Sequence, residues 1–550
     1  MARTYESALS HLAALQSNRA ITSLFAPPAS EPGAPKPDLN ALAIPEMLAW
    51  LRRAHLSPDD LAARLRCIHV AGTKGKGSVC AYLTALLAQG DEKTRAAVGR
   101  VGTYTSPHLV SVRERIAIDG VPISQDLFAR YFFEVWDACT EAARAELAAR
   151  RSAKTGEQRK EEEEEEENER QDEISEEELR GPATKPFYFR FLTIMALRVF
   201  LGEGVRSAVV ECGIGGEYDS TNVLPAAAVT AAVVTQLGID HVSMLGATLP
   251  EIAWHKAGVF KPGRRCFTRS LGGPDAEATM RVLRRRAEEK GATLVEVEDG
   301  DVERWGGVPA GGEGAGYLEG GFQKYNQALA VLAAREHLRV LASEAAGSEA
   351  EGTAVDAKER LEDIPSSFTS ALQYARLRGR CETREDERAP ATWLIDGAHT
   401  VESLAEVARW FVGKINEDTK TILIFNQQDR DAPRLVRELL AGIEAGISPS
   451  TVDGRRRQLF AHAIFTRNDL EPRREAEPER DLSVQQATAT ALRAASPTTP
   501  TSVLDNVMDA VAEARGLAYG NKDGKTTVLV TGSLYLVGAL LRTLEPDTQD

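Results

Sequence analysis

The stretch His69-Val70-Ala71-Gly72-Thr73-Lys74-Gly75-Lys76-Gly77-Ser78 decides the fold. Ahead of it, Cys67-Ile68-His69-Val70 reads as a short buried strand. Behind it, Ser78 to Leu87 carries apolar residues at helical spacing. Strand, glycine turn and helix form a setting in which backbone N–H groups can cradle phosphate. Gly72, Gly75 and Gly77 let those groups turn inward with no Cβ in the way. The helix start adds partial positive charge where an anion would sit. Thr73 and Lys74 complete the turn, Lys76 can reach the outer phosphates, and Ser78 offers a hydroxyl to a magnesium ion. The match to G-x-x-x-x-G-K-[ST] is imperfect: Val70 stands where the first glycine belongs, and Gly77 where the hydroxyl belongs. A glycine turn without a ligand is the bland alternative. Three glycines, two lysines and a helix start within one turn favour a nucleotide.

Composition bounds what surrounds this turn. At 550 residues the chain is too long for one ordinary domain. A hydrophobic share of 43% supports sizeable cores. The net charge of −15 argues against a nucleic-acid partner, which would call for a basic face. Six scattered cysteines without a C-x-x-C pair suit reduced thiols better than disulfides or a zinc site. No apolar run approaches a membrane span. Met1 to Ala20 reads as a domain's first helix, with Tyr5, Leu9, Leu12 and Leu15 at helical spacing; a weak mitochondrial targeting helix is the other reading. The expected residence is cytoplasmic, with mitochondrial residence left open.

Along the chain, Pro27 to Pro37 is a Pro-rich loop, followed by a helix over Ile44 to Leu56. A strand through Val98 to Gly102 runs into Thr105-Ser106-Pro107-His108-Leu109, and Val112 to Ile118 alternates like a strand. Leu127 to Ala149 is helical. Residues 150–180 form an acidic low-complexity insert, with Glu161 to Glu167 uninterrupted, and carry no expected chemistry. Ser207 to Glu211 and Val229 to Thr235 are buried strands, and a helix runs from about Leu249 to Val259. A helix from Lys324 to Leu338 leads into a polar linker or insert at 346–366. Beyond it, strands at Trp393–Asp396, Thr421–Phe425, Leu459–Phe465 and Thr527–Thr531 alternate with helices near Glu402–Phe411, Leu435–Ile443, Val503–Arg515 and Leu536–Leu544. The fold class is α/β: a P-loop-type N-terminal ATPase domain over 1–345, and a smaller Rossmann-like domain with a mainly parallel sheet over 367–550.

Several polar residues stand at strand ends, where open α/β sheets bind ligands. Glu211 ends a strand and is placed like the second metal-holding acid of a P-loop enzyme. His241 follows another strand, and taken alone is more often a turn residue. Lys256 lies on a partly apolar helix, where a lysine usually reaches out to solvent. Asp396-Gly397-Ala398-His399 and Thr531-Gly532-Ser533 end strands of the second domain. None decides a function singly.

Together these motifs resemble those of the folylpolyglutamate synthases, fungal type, within the Mur ligase superfamily. The resemblance is carried by His69 to Ser78, Thr105 to Leu109, Glu211-Cys212-Gly213-Ile214-Gly215-Gly216 with Asp219 to Asn222, and Gly238-Ile239-Asp240-His241. It continues through His255-Lys256-Ala257-Gly258, Asp396 to His399 and Thr531 to Tyr535, and leaves out only the low-complexity inserts. It also accounts for Gly77, because the family's loop has glycine after the lysine.

The resemblance implies an ATP-dependent amide ligase. ATP phosphorylates the γ-carboxylate of a folate's terminal glutamate, and the amino group of free L-glutamate displaces phosphate from the acyl phosphate. Folate, L-glutamate and ATP are the implied small-molecule partners of a monomer; Mg2+ and a monovalent cation such as K+ are the implied ions. Gly72, Thr73, Lys74, Gly75, Lys76, Gly77 and Ser78, with Asn326, Arg380 and Asp396, match ATP-contacting positions. Ser78, Ser106, Glu211 and His241 match magnesium ligands. Lys76, Lys256 and His399 match catalytic positions, Lys256 being the lysine that family members carry as N6-carboxylysine. Phe187, Tyr188, Phe189, Arg190, Tyr218 and Asp219 match folate-binding positions, and Asp396, His399 and Ser533 the site of the incoming glutamate. One departure concerns Phe425-Asn426-Gln427-Gln428-Asp429-Arg430-Asp431, where relatives often carry Thr or Gly in place of the glutamines. Two rival readings stand beside this one. A dihydrofolate synthase would join glutamate to dihydropteroate, but a cation at Arg190 suits an anionic, glutamylated folate better. A P-loop switch protein would favour an N-K-x-D motif, and Asn521-Lys522-Asp523-Gly524 has its acid one place early.

Overall fold

Strand β1 (Arg66–Ala71) is buried along almost its whole length, because parallel strands lie on both sides of it and helices cover its faces. The structure, a computed structural model, describes residues 3–15, 39–90, 92–157, 175–273, 275–312, 316–347, 361–416, 418–428, 430–447, 458–521 and 525–545. The Pro-rich loop, residues 158–174 of the acidic insert, 348–360 of the linker, Asp429 and residues 522–524 lie outside the described residues.

The chain divides into two compact units. The first takes Met1–Ser106, Arg115–Asp299 and Leu329–Arg360; the second takes Pro107–Glu114, Gly300–Ala328 and Leu361–Asp550.

In the first unit β1 joins β2 (Arg100–Tyr104), β3 (Ile116–Ile118), β4 (Val121–Pro122), β5 (Val205–Glu211), β6 (Val229–Val234), β7 (Arg265–Arg269) and β8 (Thr293–Val297). The order across the sheet is β4-β3-β2-β5-β1-β6-β7-β8, with only the β2–β3 and β3–β4 pairs antiparallel. Register places Val70 beside Glu211 and Ala71 beside Val234. The carboxyl ends of β2, β5, β1 and β6 therefore stand in a row, and the polar residues that follow them share one edge of the sheet.

The second unit holds β9 (Glu382–Glu385), β10 (Ala391–Ile395), β11 (Lys420–Phe425), β12 (His462–Phe465), β13 (Thr501–Val503) and β14 (Thr526–Thr531). Their order is β13-β12-β11-β14-β10-β9, parallel except for β9. One face packs Leu404, Phe411, Leu439 and Leu492; the other packs Val511, Leu536 and Leu540. Helices follow strands as the alternation predicts: Val401–Val412, Ala432–Gly446, Val507–Tyr519 and Leu534–Leu544.

Several details differ from the sequence reading. The strand expected over Val112 to Ile118 covers only Ile116–Ile118, and Val112–Arg115 is a 3-10 turn. Glu114 causes this, since its carboxylate accepts the N–H groups of Leu109, Val110 and Ser111 at 2.9, 2.9 and 2.7 Å and holds the chain in a turn. Val98 ends the helix Glu92–Val98, and Gly99 in the left-handed region (φ 67°) separates it from β2. The helix expected from Val503 starts at Val507, because Asn506 caps it by accepting the Asp509 N–H at 2.8 Å. Two helices, Ala276–Glu289 and Ser483–Ala495, were not anticipated.

The second unit is closed at its amino-terminal side by Asp386. Its carboxylate accepts from Arg515 Nε, Trp393 Nε1 and Arg388 N, each at 2.8 Å. Burial works to raise its pKa, but these donors outweigh burial and hold the carboxyl below its ordinary value. A lowered carboxyl pKa contributes stability at neutral pH and loses it as pH falls through the folded value. Asp386→Ala should cost about 3 kcal/mol at pH 7, since it leaves a guanidinium and an indole N–H without their acceptor. Denaturant melts should show the difference shrinking below about pH 4, where the wild-type carboxylate itself protonates.

Candidate active site

The turn after β1 is fixed by backbone geometry rather than by packing of large side chains. Gly72 adopts φ 146°, and a Cβ there would lie 1.8 Å from Thr235 Oγ1. Gly75 sits in the left-handed region (φ 87°) as the cap of the helix Lys76–Ala88. Thr73 N and Lys74 N donate to Gln236 O at 3.0 and 3.1 Å. Thr73 Oγ1 donates to Gly238 O at 3.0 Å and accepts from Gly238 N at 3.1 Å, while Thr235 Oγ1 donates to Lys74 O at 2.7 Å. The segment after β6 thus braces the first half of the turn. The second half, from Gly75 onward, leads into a helix start with its N–H groups aligned.

The neighbouring strand ends bring acids and hydroxyls to this turn. Glu211, buried at the end of β5, accepts from Ser106 N at 3.0 Å through Oε2. Its other oxygen lies 3.9 Å from Lys76 Nζ. Ser78 is buried in the first turn of the helix. The structure therefore brings Lys76, Glu211 and Ser106 together, with Ser78 two residues along the helix from Lys76. His241 stands one strand further over, exposed and in the left-handed region (φ 50°), where it caps the short helix Val242–Leu245. Among the described residues no three His, Cys, Asp or Glu side chains form a metal cage.

Lys256 departs from the solvent-reaching lysine that its helix position suggests. It is buried, and its Nζ donates to Gly72 O at 2.7 Å, directly beneath the turn. Burial first, and the Lys76 charge second, bring its pKa down to about 7. No sequence signal could have found this contact, because 184 residues separate the partners. The bracing by Thr235 and Gln236 was missed for the same reason.

Four of the expected folate-binding residues, Phe187, Tyr188, Phe189 and Arg190, lie at the start of the helix Tyr188–Gly202, where Phe187 is the cap. Phe189 packs against Gly213 so closely that a Cβ there would lie 2.6 Å from its ring, and its centroid is 6.0 Å from that of Tyr104. The Arg115 guanidinium lies 5.5 Å from the Tyr188 ring centroid. Arg190 pairs with Glu46 at 2.6 Å. Tyr218 lies edge-on to His255 at 5.7 Å. Asp219 is buried, accepts from Ile214 N, Thr221 N and Thr221 Oγ1, and has its pKa raised by burial against those donors. Its carboxylate therefore clamps its own loop.

In the second unit, Asp396 follows β10 and accepts from Cys381 N at 2.7 Å and Ala398 N at 2.8 Å. Burial raises its pKa, and the nearby Arg380 works against that rise. Gly397 leaves no room for a side chain: a Cβ would meet Leu534 at 2.2 Å and Arg380 Nη1 at 3.0 Å. His399 Nδ1 lies 3.0 Å from Gly397 O, so in the neutral ring this nitrogen carries the proton. Ser533 caps the helix Leu534–Leu544 by accepting from Tyr535 N at 3.1 Å. Asn326 donates to Gln323 Oε1 at 2.8 Å. Asp396, Arg380 and His399 gather around the β10 end, and Ser533 follows the adjoining β14.

Two fungal relatives align with almost the whole chain. The folylpolyglutamate synthase of Neurospora crassa is 35% identical over 559 residues, covering 99% of this chain and 92% of that protein. The folylpolyglutamate synthase of Saccharomyces cerevisiae (strain FostersO) is 34% identical over 545 residues, covering 98% and 86%. Among solved structures, Mycobacterium tuberculosis folylpolyglutamate synthase complexed with ADP matches with a TM-score of 0.59 at 23% identity, covering 92% of this chain and 94% of that one. That likeness is one of fold. No protein-family model matches the chain.

The buried amine of Lys256 has a consequence for stability. Its pKa is about 7 in the folded state against an ordinary 10.5, so between these values the unfolded chain binds more protons and stability rises with pH. Lys256→Met should therefore stabilise carbon-dioxide-free protein at pH 7. The gain is at most about 4 kcal/mol, less about 1 for the lost bond to Gly72. Denaturant melts at pH 7 and pH 10 should show this gain fading at the higher pH.

Proposed function

The chain belongs to the folylpolyglutamate synthase family, and we infer from this how its residues divide the work of an ATP-dependent folate polyglutamate ligase. A carboxylate does not condense with an amine at neutral pH, because its leaving group is poor. Phosphorylation supplies one: the folate γ-carboxylate attacks the γ-phosphorus, ADP leaves, and the acyl phosphate accepts the amine of L-glutamate with loss of phosphate. The barrier is largely charge, since an anion must approach a polyanion.

The observation that carries the assignment is the braced turn from Gly72 to Ser78 with Lys76 at its outlet. Its N–H groups and the helix start hold the nucleotide phosphates, and Lys76 moves from the Glu211 side toward the transferred phosphoryl group. Asn326, Arg380 and Asp396 contact the nucleotide. Phe187, Tyr188 and Phe189 offer ring faces to the pterin, Tyr218 lines its site beside the loop that Asp219 clamps, and Arg190 exchanges Glu46 for the anionic glutamyl tail. Ser533, Asp396 and His399 take the incoming glutamate, with His399 removing a proton from its amine. The donors at the first unit's strand ends suit Mg2+: a buried carboxylate and two hydroxyls are hard oxygens, and the absence of a three-acid cage among the described residues leaves the rest of the shell to phosphate and water. Ser78, Ser106, Glu211 and His241 would hold the ion, which when bound with the nucleotide offsets phosphate charge. A monovalent cation such as K+ adds to that offset.

Lys256 takes the carbamate. A primary amine with a pKa near 7 is about half neutral at pH 7, and the neutral form can add to carbon dioxide. The resulting N6-carboxylysine is an anion that faces Lys76 and orders the ligands around it. No helix among the described residues is long and apolar enough to cross a membrane. All six cysteines are buried and free, which supports residence in a reducing compartment such as the cytoplasm. The chain acts as a monomer.

The direct test is ATP-dependent incorporation of labelled L-glutamate into tetrahydrofolate, run beside dihydropteroate; incorporation only with dihydropteroate would replace this reading with a dihydrofolate synthase. Lys76→Ala should lower kcat by about 10²- to 10³-fold with only a small fall in melting temperature. Near-normal turnover would remove the turn from the phosphate site. Lys256→Ala should be severely impaired and partly rescued by added acetate or another short carboxylate. An intact-mass measurement of active protein without the added carbon dioxide would refute the carbamate while leaving the ligase assignment standing.

A further inference from the structure

The carboxyl ends of β11 and β12 carry a row of side-chain amides whose hydrogen bonds all run one way. Gln485 Nε2 donates to Asn426 Oδ1 at 2.9 Å, Asn426 Nδ2 to Asn468 Oδ1 at 2.7 Å, and Asn468 Nδ2 to Gln428 Oε1 at 3.0 Å. Each amide polarises the next, so the row strengthens its last donor. The inner end is deep, with Gln485 and Asn426 each 2% exposed, and Gln485 Oε1 has no partner among the described residues. Reversing the row would bury an unpaired NH2 group in place of an unpaired carbonyl, the less tolerated of the two. The outer end is the half-buried Gln428, whose oxygen is taken and whose NH2 group is the terminal donor.

This end of the row is locked to the turn that bears Ser533. Gln427 Nε2 donates to Gly532 O at 2.9 Å. Gly532 has φ 110°, and a Cβ there would lie 2.4 Å from Asn426 O, so the two turns touch backbone to backbone. Across the sheet the ends run β10, β14, β11, spaced roughly 5 Å apart. The helices after β10 and β11 pack on one face and the helix after β14 on the other. These ends therefore straddle a topological switch, the place where open sheets take ligands.

We propose that Gln428 binds the side-chain carboxylate of the incoming L-glutamate, with Asn468, Asn426 and Gln485 aligning its amide and Gln427 fixing its turn against Ser533. The proposal rests on the ligase reading, which puts the reacting amine at the β10 end with Asp396 and His399. The backbone ends of β10 and β11 lie two strand spacings, about 10 Å, apart; an extended glutamate covers about 6 Å of this, and the His399 and Gln428 side chains cover the rest. A polarised neutral donor favours an anionic oxygen over the carbonyl of glutamine, because charge-assisted hydrogen bonds are about twice as strong.

The test uses the full chain with saturating ATP and tetrahydrofolate. Gln428→Glu opposes carboxylate with carboxylate and should raise KM for L-glutamate about 30-fold or more, with kcat within about threefold and KM for ATP and folate unchanged. Inhibition by L-glutamine should strengthen relative to glutamate in the same variant. Gln428→Ala, which removes the donor without adding charge, should raise KM for glutamate about tenfold. Glutamate KM unchanged in both variants overturns the proposal. So does a joint rise of all three KM values with a falling melting temperature, which marks Gln428 as structural. A wild-type protein that incorporates no glutamate overturns the ligase reading instead.

Discussion

The contact of Gly72 with Thr235 sets the geometry on which the turn after β1 depends. With no Cβ at Gly72, the Thr235 hydroxyl enters the space a side chain would fill, and it secures the Lys74 carbonyl from there. The segment after β6 can reach that position only because β6 pairs with β1 in the register that sets Ala71 beside Val234. A shift of one residue would carry Thr235 to the other face of the sheet. The turn is therefore a property of two adjacent strands, and its shape does not wait for a ligand. Such preformed donors need no reorganisation when charge develops.

Charge around the turn is arranged against desolvation. Two lysines and one glutamate meet in a largely buried space, and the protein treats them differently. Lys76 keeps some exposure and an acidic neighbour, and Glu211 is satisfied by the Ser106 N–H. Lys256, with a carbonyl as its acceptor and a second lysine as neighbour, loses its proton near neutrality. A second ammonium beside Lys76 would cost more than a neutral amine, and a neutral amine is a nucleophile. Electrostatics thus gives the buried lysine chemistry that its helix position would not.

In the second unit the strand-end side chains are held mainly by neutral groups. Asp396 is held by backbone N–H donors, His399 by a carbonyl, and the end of β11 by a chain of amides. Oriented dipoles would suit the zwitterion proposed to bind here, whose opposite charges would each be mispaired by a single dominant ion. The two glutamines in the turn after β11 fit this pattern: one secures the Gly532 carbonyl and the other ends the amide chain.

Much of this was legible in the sequence. Glycine spacing gave the turn between β1 and its helix, because only glycine enters the left-handed region without strain, and Gly75 does so. Alternating apolar runs gave both parallel sheets, and the order of motifs gave the family. Local hydrogen bonding was less legible: Glu114 turned an alternating run into a 3-10 turn by collecting three N–H groups, a choice that periodicity does not encode. Only the tertiary structure decided the state of Lys256 and the direction of the amide row. Both depend on what lies opposite in space, at separations of 184 residues for Lys256 and Gly72 and 59 for Gln485 and Asn426. A sequence states which groups can ionise or donate; burial and the partner across the sheet fix whether they do, because desolvation and hydrogen bonding act through distance in space and not along the chain.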